Sequence, residues 1–178
     1  MRLNTTAPLP QLQCIPAFSD NYIWLLHDGQ YAWVVDPGDA GPVRAALQAQ
    51  GLILAGILLT HHHHDHTGGV AELVADSRAA VFGPVGEVLP EPVTRVGEGD
   101  RLNGLPATTR VCCAHEYTLS NLRFAQAVEP GNAALRAYLS HCEALRARGA
   151  PTLPSQLATE RLVNPFLRSR DPGLRAGL

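Results

Sequence analysis

The stretch LILAGILLTHHHHDHTGG, residues 52–69, decides how this chain is read. It sets five of the eight histidines into the six positions 61–66, directly behind a run of aliphatic residues. A purification tag would sit at a terminus on a linker, whereas this run is internal and follows a strand-like segment. A solvated loop of accidental composition would not carry an aspartate in step with the histidines, nor stop sharply at Thr67-Gly68-Gly69. His61, His63 and Asp65 are spaced i, i+2, i+4, and His66 follows at once, at the exit of a segment apolar on both faces and hence a buried strand. There the backbone can turn side chains of both parities toward one point. Imidazole nitrogen and carboxylate oxygen are the donors that zinc and its borderline neighbours take, and a catalytic zinc site keeps one position open for water. His62 and His64 are expected to point away, into solvent or neighbouring side chains.

The rest of the composition bounds the setting. A chain of 178 residues, 46% hydrophobic, can bury one ordinary core with a small appendage. A formal net charge of −2, with no block of lysine or arginine, excludes a phosphate backbone or an anionic membrane as the natural partner. The opening MRLNTTAPLPQLQC lacks the apolar core of a signal peptide, and no segment approaches the roughly 18 apolar residues of a membrane span. A soluble cytoplasmic protein is expected. The four cysteines form no C-x-x-C pair, and a bridge between adjacent Cys112 and Cys113 would be strained, so reduced thiols are expected.

Patterning predicts two unequal parts. Tyr22–Leu26 and Tyr31–Val35 are strands joined through Asp28-Gly29, a hairpin signal. Pro42 suits the first turn of a helix through Gln50, with Gly51 as its stop. VAELVADS reads as a helix, AAVFGP as a strand, VTRVGEGDRL as a strand with a turn and TTRVCCAHE as a short buried strand. Alternating strands and helices imply an α/β layered core. From Thr118 onward LSNLRFAQAVEP and NAALRAYLSHCEALRARG carry only helical periodicity. The division is therefore 1–117 for the α/β part and 118–178 for a helical part.

THHHHDHTGG, Thr60 to Gly69, with Asp36-Pro37-Gly38 before it, resembles the signature of the metallo-β-lactamase superfamily. CCAHEYTLSNLRFAQAVEPGN, Cys112 to Asn132, and NPFLR, Asn164 to Arg168, resemble the hydroxyacylglutathione hydrolases, or glyoxalase II enzymes, within it. The resemblance implies an αββα sandwich with a small helical C-terminal part. It implies two metal ions, zinc with iron or manganese as alternatives. His61 and His63 would serve the first, Asp65, His66 and His115 the second, and Tyr117 would contact the glutathione part of the substrate. Taken alone, His115 reads as an ordinary core histidine; the surrounding match gives it the metal role. The implied reaction is attack of a metal-bound hydroxide on S-D-lactoylglutathione, giving glutathione and D-lactate, with Asp65 among the catalytic groups.

This sequence departs from the family pattern. Neither the G-H-T-x-G-H motif, source of the third histidine of the first metal, nor the G-D-T-L-F motif, source of the bridging aspartate, is present. GDRLN runs into GLPATTRV as though a segment were missing near Asn103 and Gly104, and the basic tail of the family does not follow RDPGLRAGL. The second sheet is therefore expected to be incomplete and the first metal weakly held. His27, His141, Asp100 and Cys113 are the residues that could stand in. A monomer is expected, with association possible through apolar surface uncovered around Val111 to Ala114. Three functions fit: the glutathione thioester hydrolase, a metal-binding relative without significant turnover, and a superfamily hydrolase acting on a phosphodiester or lactam, which the AHEYTLSNLRFA match disfavours.

Overall fold

The asparagine and tyrosine that follow Asp20 open a strand that is buried almost throughout, and the first unit is built around it. A computed structural model describes residues 11–96, 110–168 and 174. The chain divides into two units, Met1–Asp100 and Arg101–Leu178. The Asn103–Gly104 junction, Asp100 and most of RDPGLRAGL lie outside the described residues.

In the first unit, β1 (Gln11–Ala17), β2 (Asn21–His27) and β3 (Tyr31–Val35) form an antiparallel meander. Asp28 makes the turn between β2 and β3, its Oδ1 accepting the backbone N–H of Gln30 and of Tyr31 at 2.9 and 2.8 Å. Helix α1 (Ala40–Gln50) starts at Asp39, whose side chain accepts the N–H of Gly41, and stops at Gly51 in the left-handed conformation, φ 65°. Gly51 is the stop that the sequence signals, while the Asp39 cap is one the sequence reading does not name. The chain returns as β4 (Ile53–Leu58), turns once through α2 (His64–Thr67), and continues into α3 (Val70–Ser77), β5 (Ala80–Pro84) and β6 (Thr94–Val96). The strands lie in the order β1-β2-β3-β4-β5-β6, with β3 to β6 parallel. Side chains from the sheet (Leu25, Val34, Ile57, Val81) and from α1 and α3 (Val43, Leu73) form one core. Each such burial contributes about 1.5–3 kcal/mol.

Two expectations need correcting. β4 is buried at Leu54, Gly56 and Ile57 but not on both faces: Ile53 and Leu58 are 52% and 38% exposed. On that open side the Trp33 indole lies where a Cβ on Gly56 would stand, 2.2 Å from it. The second correction concerns TTRVCCAHE. Among the described residues strand β7 is Arg110–Val111, Thr108 and Thr109 lying outside them, and Cys112 and Cys113 are exposed. Among the described residues its pairing is with β8 (Ser155–Gln156), two residues long.

The second unit is helical apart from that ribbon. Helices α4 (Thr118–Val128), α5 (Ala133–Ala147) and α6 (Leu157–Val163) bury Leu122, Ala125, Leu135, Leu139, Cys142 and Val163 together. Asn132 caps α5, its side chain accepting the Leu135 N–H at 3.0 Å. A 3-10 turn, Pro165–Arg168, follows α6. An α/β first unit with a full sheet, a two-stranded second sheet and a helical C-terminal part is the fold class expected from sequence.

Candidate metal centre

Asp36 is the residue around which the histidine loop is built. It follows β3 at φ 52°, a left-handed conformation that aspartate tolerates better than most residues. Its backbone N–H donates to the Leu58 carbonyl at 2.9 Å, so the ends of β3 and β4 are tied together. The buried carboxylate then accepts the Thr60 N–H at 2.8 Å and the Thr60 hydroxyl at 2.7 Å, and lies 3.1 Å from Nδ1 of buried His66.

This network sets the histidines. The Thr60 hydroxyl has one proton and gives it to Asp36, so at its 2.9 Å contact with His61 the ring Nδ1 donates. Nε2 of His61 is thereby left with its lone pair, the form a metal takes. The His61 ring centroid lies 4.0 Å from that of His66 and 4.6 Å from that of His63. Burial, then the charges of His66 and His63, push the His61 pKa down, which keeps the ring neutral at physiological pH. Asp65 accepts from Asn21 Nδ2 at 2.9 Å and lies 3.3 Å from His66 Nε2. Thr67 Oγ1 donates to the His63 carbonyl at 3.1 Å, fastening the single turn of α2.

The glycines allow this loop to nest against Asp36-Pro37-Gly38. Gly69 donates its N–H to the Pro37 carbonyl at 2.9 Å, and a Cβ on Gly38 would lie 1.9 Å from the Asp65 carbonyl oxygen. Imidazoles and a carboxylate converging on one edge of the sheet form a donor set that fits a borderline divalent cation.

His61, His63, Asp65 and His66 are thus brought together in the first unit, while His115 and Tyr117 belong to the second. In that unit the His115 ring stacks on Tyr117, centroids 4.9 Å apart and planes 15° apart. Tyr117 is 50% exposed rather than packed in a core. Glu116 between them turns the opposite way. Its buried carboxylate accepts the Thr152 N–H and hydroxyl at 2.8 and 2.5 Å, with Arg146 at 3.7 Å. His115 also lines a cavity with Asn121, Leu122, Tyr138, Glu160 and Phe166.

Of the stand-ins, His27 is buried six residues along β2 from Asn21, roughly 20 Å at the usual rise per residue. His141 stacks on Tyr138 in α5. Although Cys113 is exposed as a residue, partial desolvation of its sulfur, with Glu160 and Glu116 nearby, pushes the thiol up and away from the thiolate a metal needs. Sequence reasoning assigned no role to Asp36, Asn21 or Glu87, a loop residue described below. Asp36-Pro37-Gly38 was the one available signal for the first; the others carry none.

The metallo-β-lactamase superfamily model matches residues 17–135, and the model of the hydroxyacylglutathione hydrolase C-terminus matches residues 116–178. Hydroxyacylglutathione hydrolase from Albidiferax ferrireducens is 45% identical over 222 aligned positions, covering 90% of this chain and 87% of that protein. The Cupriavidus taiwanensis enzyme of the same name is 42% identical over 239 positions, covering 94% and 90%. Both alignments run over more positions than the 178 residues present here, so these relatives carry residues that this chain lacks. The solved B3 metallo-β-lactamase BLEG-1 is 31% identical, with a TM-score of 0.38, over 40% of this chain and 36% of that one.

Proposed function

This chain belongs to the hydroxyacylglutathione hydrolases of the metallo-β-lactamase superfamily, and on that footing we propose that it hydrolyses S-(2-hydroxyacyl)glutathione, S-D-lactoylglutathione foremost, to glutathione and a 2-hydroxy acid, D-lactate. The observation that carries this reading is the Asp36-centred network, which presents neutral His61 beside His63, His66 and Asp65. We assign His61 and His63 to a first zinc ion, and Asp65, His66 and His115 to a second, with Asp65 the catalytic carboxylate. When bound, such ions lower the pKa of water toward neutrality and polarise the thioester carbonyl.

The chain's own residues orient and hold. Thr60, on Asp36, keeps the His61 proton on Nδ1, and Asn21 restrains Asp65. Water gives up a proton to solvent, its oxygen adds to the carbonyl carbon, the C–S bond breaks, and the electron pair leaves on glutathione sulfur, which takes the proton of the new carboxylic acid. A thiol of ordinary pKa, about 8.5, leaves as thiolate, so no strong general acid is required. The chain carries no basic block for nucleic acid, and none of its cysteines is in a disulfide, which is in keeping with the reducing cytoplasm we assign it to. No described helix is long and apolar enough to cross a membrane.

Replacing His115 with alanine should remove most of the zinc that survives dialysis, because the second ion would keep only Asp65 and His66. Unchanged zinc content by atomic absorption would overturn the ligand assignment. Tyr117→Phe should weaken binding of a glutathione analogue several-fold with the melting temperature unchanged, since the exposed ring supports little packing. A lowered melting temperature with binding intact would make Tyr117 a structural residue.

A further inference from the structure

We propose that Glu87, in the loop after β5, is a positioning residue for the histidine loop, fixing His62 and through it the backbone from which His61 and His63 project. The inference rests on the reading that His61 and His63 hold a metal. One oxygen of Glu87, Oε2, lies 2.5 Å from His62 Nδ1 and accepts the His62 backbone N–H at 3.2 Å. A residue held to a single atom by both main chain and ring is restrained in ring rotation and in backbone position, and its two neighbours are the histidines we assign to the first metal.

Glu87 is itself held. Val85 donates its N–H to the Val96 carbonyl at 2.9 Å, and the Arg95 guanidinium donates to the Glu87 carbonyl and, at 2.9 Å, to Glu91. The Glu87 side chain is 31% exposed, against 67% for Glu91 in its pair with Arg95. A carboxylate only accepts, so Nδ1 of His62 carries a proton facing Glu87. In the neutral ring that selects the Nδ1–H form, where an unconstrained imidazole favours Nε2. Outer partners of this kind act on metal affinity through ligand orientation, whereas a half-exposed ion pair adds little to stability.

The test compares the full chain with Glu87→Ala, Glu87→Gln and His61→Ala. The readouts are Zn²⁺ competition against a chromophoric chelator, melting of the metal-free proteins, and 15N NMR of the His62 ring. Glu87→Ala should weaken the weaker zinc event about ten- to a hundredfold. Its metal-free melting temperature should stay within about 2 °C, and the His62 proton should move to Nε2. Glu87→Gln should stay within about threefold of the parent and keep the Nδ1 proton, because an amide oxygen accepts the same two bonds. Parent-like zinc binding in Glu87→Ala, beside a clear loss in His61→Ala, would overturn the proposal while leaving the site reading intact. So would Glu87→Gln as weak as Glu87→Ala, which would make charge the cause, or a fall in metal-free melting temperature large enough to mark a purely structural prop. Unchanged zinc binding in His61→Ala would instead overturn the site reading, and this proposal with it.

Discussion

Gly38→Ala should destabilise the protein by about 3 kcal/mol and abolish measurable zinc retention, although Gly38 is no ligand and sits in a permitted backbone conformation. The cause is space. A Cβ there would stand 1.9 Å from the Asp65 carbonyl oxygen, 2.4 Å from its carbon and 2.8 Å from the Phe18 ring. The ring can swing aside; the peptide of Asp65 cannot move without carrying α2 with it. Relieving the clash takes a displacement of more than an ångström, whereas metal ligands tolerate a few tenths. The same shift pulls Gly68 and Gly69 from their contacts on Pro37 and Gly38. Urea unfolding and a zinc titration measure both effects. Gly131→Ala is the control, because nothing lies within 4 Å of its added Cβ, and it should stay within about 0.5 kcal/mol. Gly38→Ala behaving like that control would show that the two loops are not interlocked as described.

The parts of this molecule that could be read from sequence are those whose cause is local. Asp28-Gly29 makes its own turn through the Asp28 side chain, and Asp39 and Gly51 close the two ends of α1 with atoms close along the chain. β1 goes unread in the sequence because the apolar residues of QLQCIPA break their alternation at Cys14-Ile15 and Pro16 interrupts the run; it is a strand because all seven of its residues register against β2. β7 failed in the opposite sense, being apolar enough for a strand but pairing, among the described residues, only with the two residues of β8. The metal centre divides in the same way. The histidines and Asp65 announce themselves by spacing within a single loop. The groups that hold them come from far along the chain: Asn21 lies 44 residues from Asp65, Asp36 24 from Thr60, and Glu87 25 from His62. None of these belongs to a periodic pattern, so each is visible only once the strands are paired.

The second large effect is catalytic. The chain, as it stands, should hydrolyse S-D-lactoylglutathione at least about a hundredfold more slowly than a version with the missing positions restored. The described network orients His61, His63, His66 and Asp65, yet the sequence has no G-H-T-x-G-H and no G-D-T-L-F, while its relatives align over more positions than it possesses. On the proposed assignment a first ion would be left with His61 and His63, without the third histidine and the bridging aspartate that the family pattern supplies, and would be weakly held. Removing one positioned electrostatic group commonly costs about a hundredfold in rate or more. Two such losses cost more than one, though not additively, because groups that act as a unit fail as a unit.

The direct measurement is kcat/KM on S-D-lactoylglutathione for the purified, zinc-loaded chain, beside a chimera carrying the relatives' extra segment at Asn103–Gly104, with zinc counted in both. Slow hydrolysis by the chain, with zinc held mainly at one site, and at least a hundredfold gain in the two-zinc chimera is the predicted result. Equal kcat/KM and equal zinc content in the two proteins would contradict the account, and would mean that residues already present complete the centre.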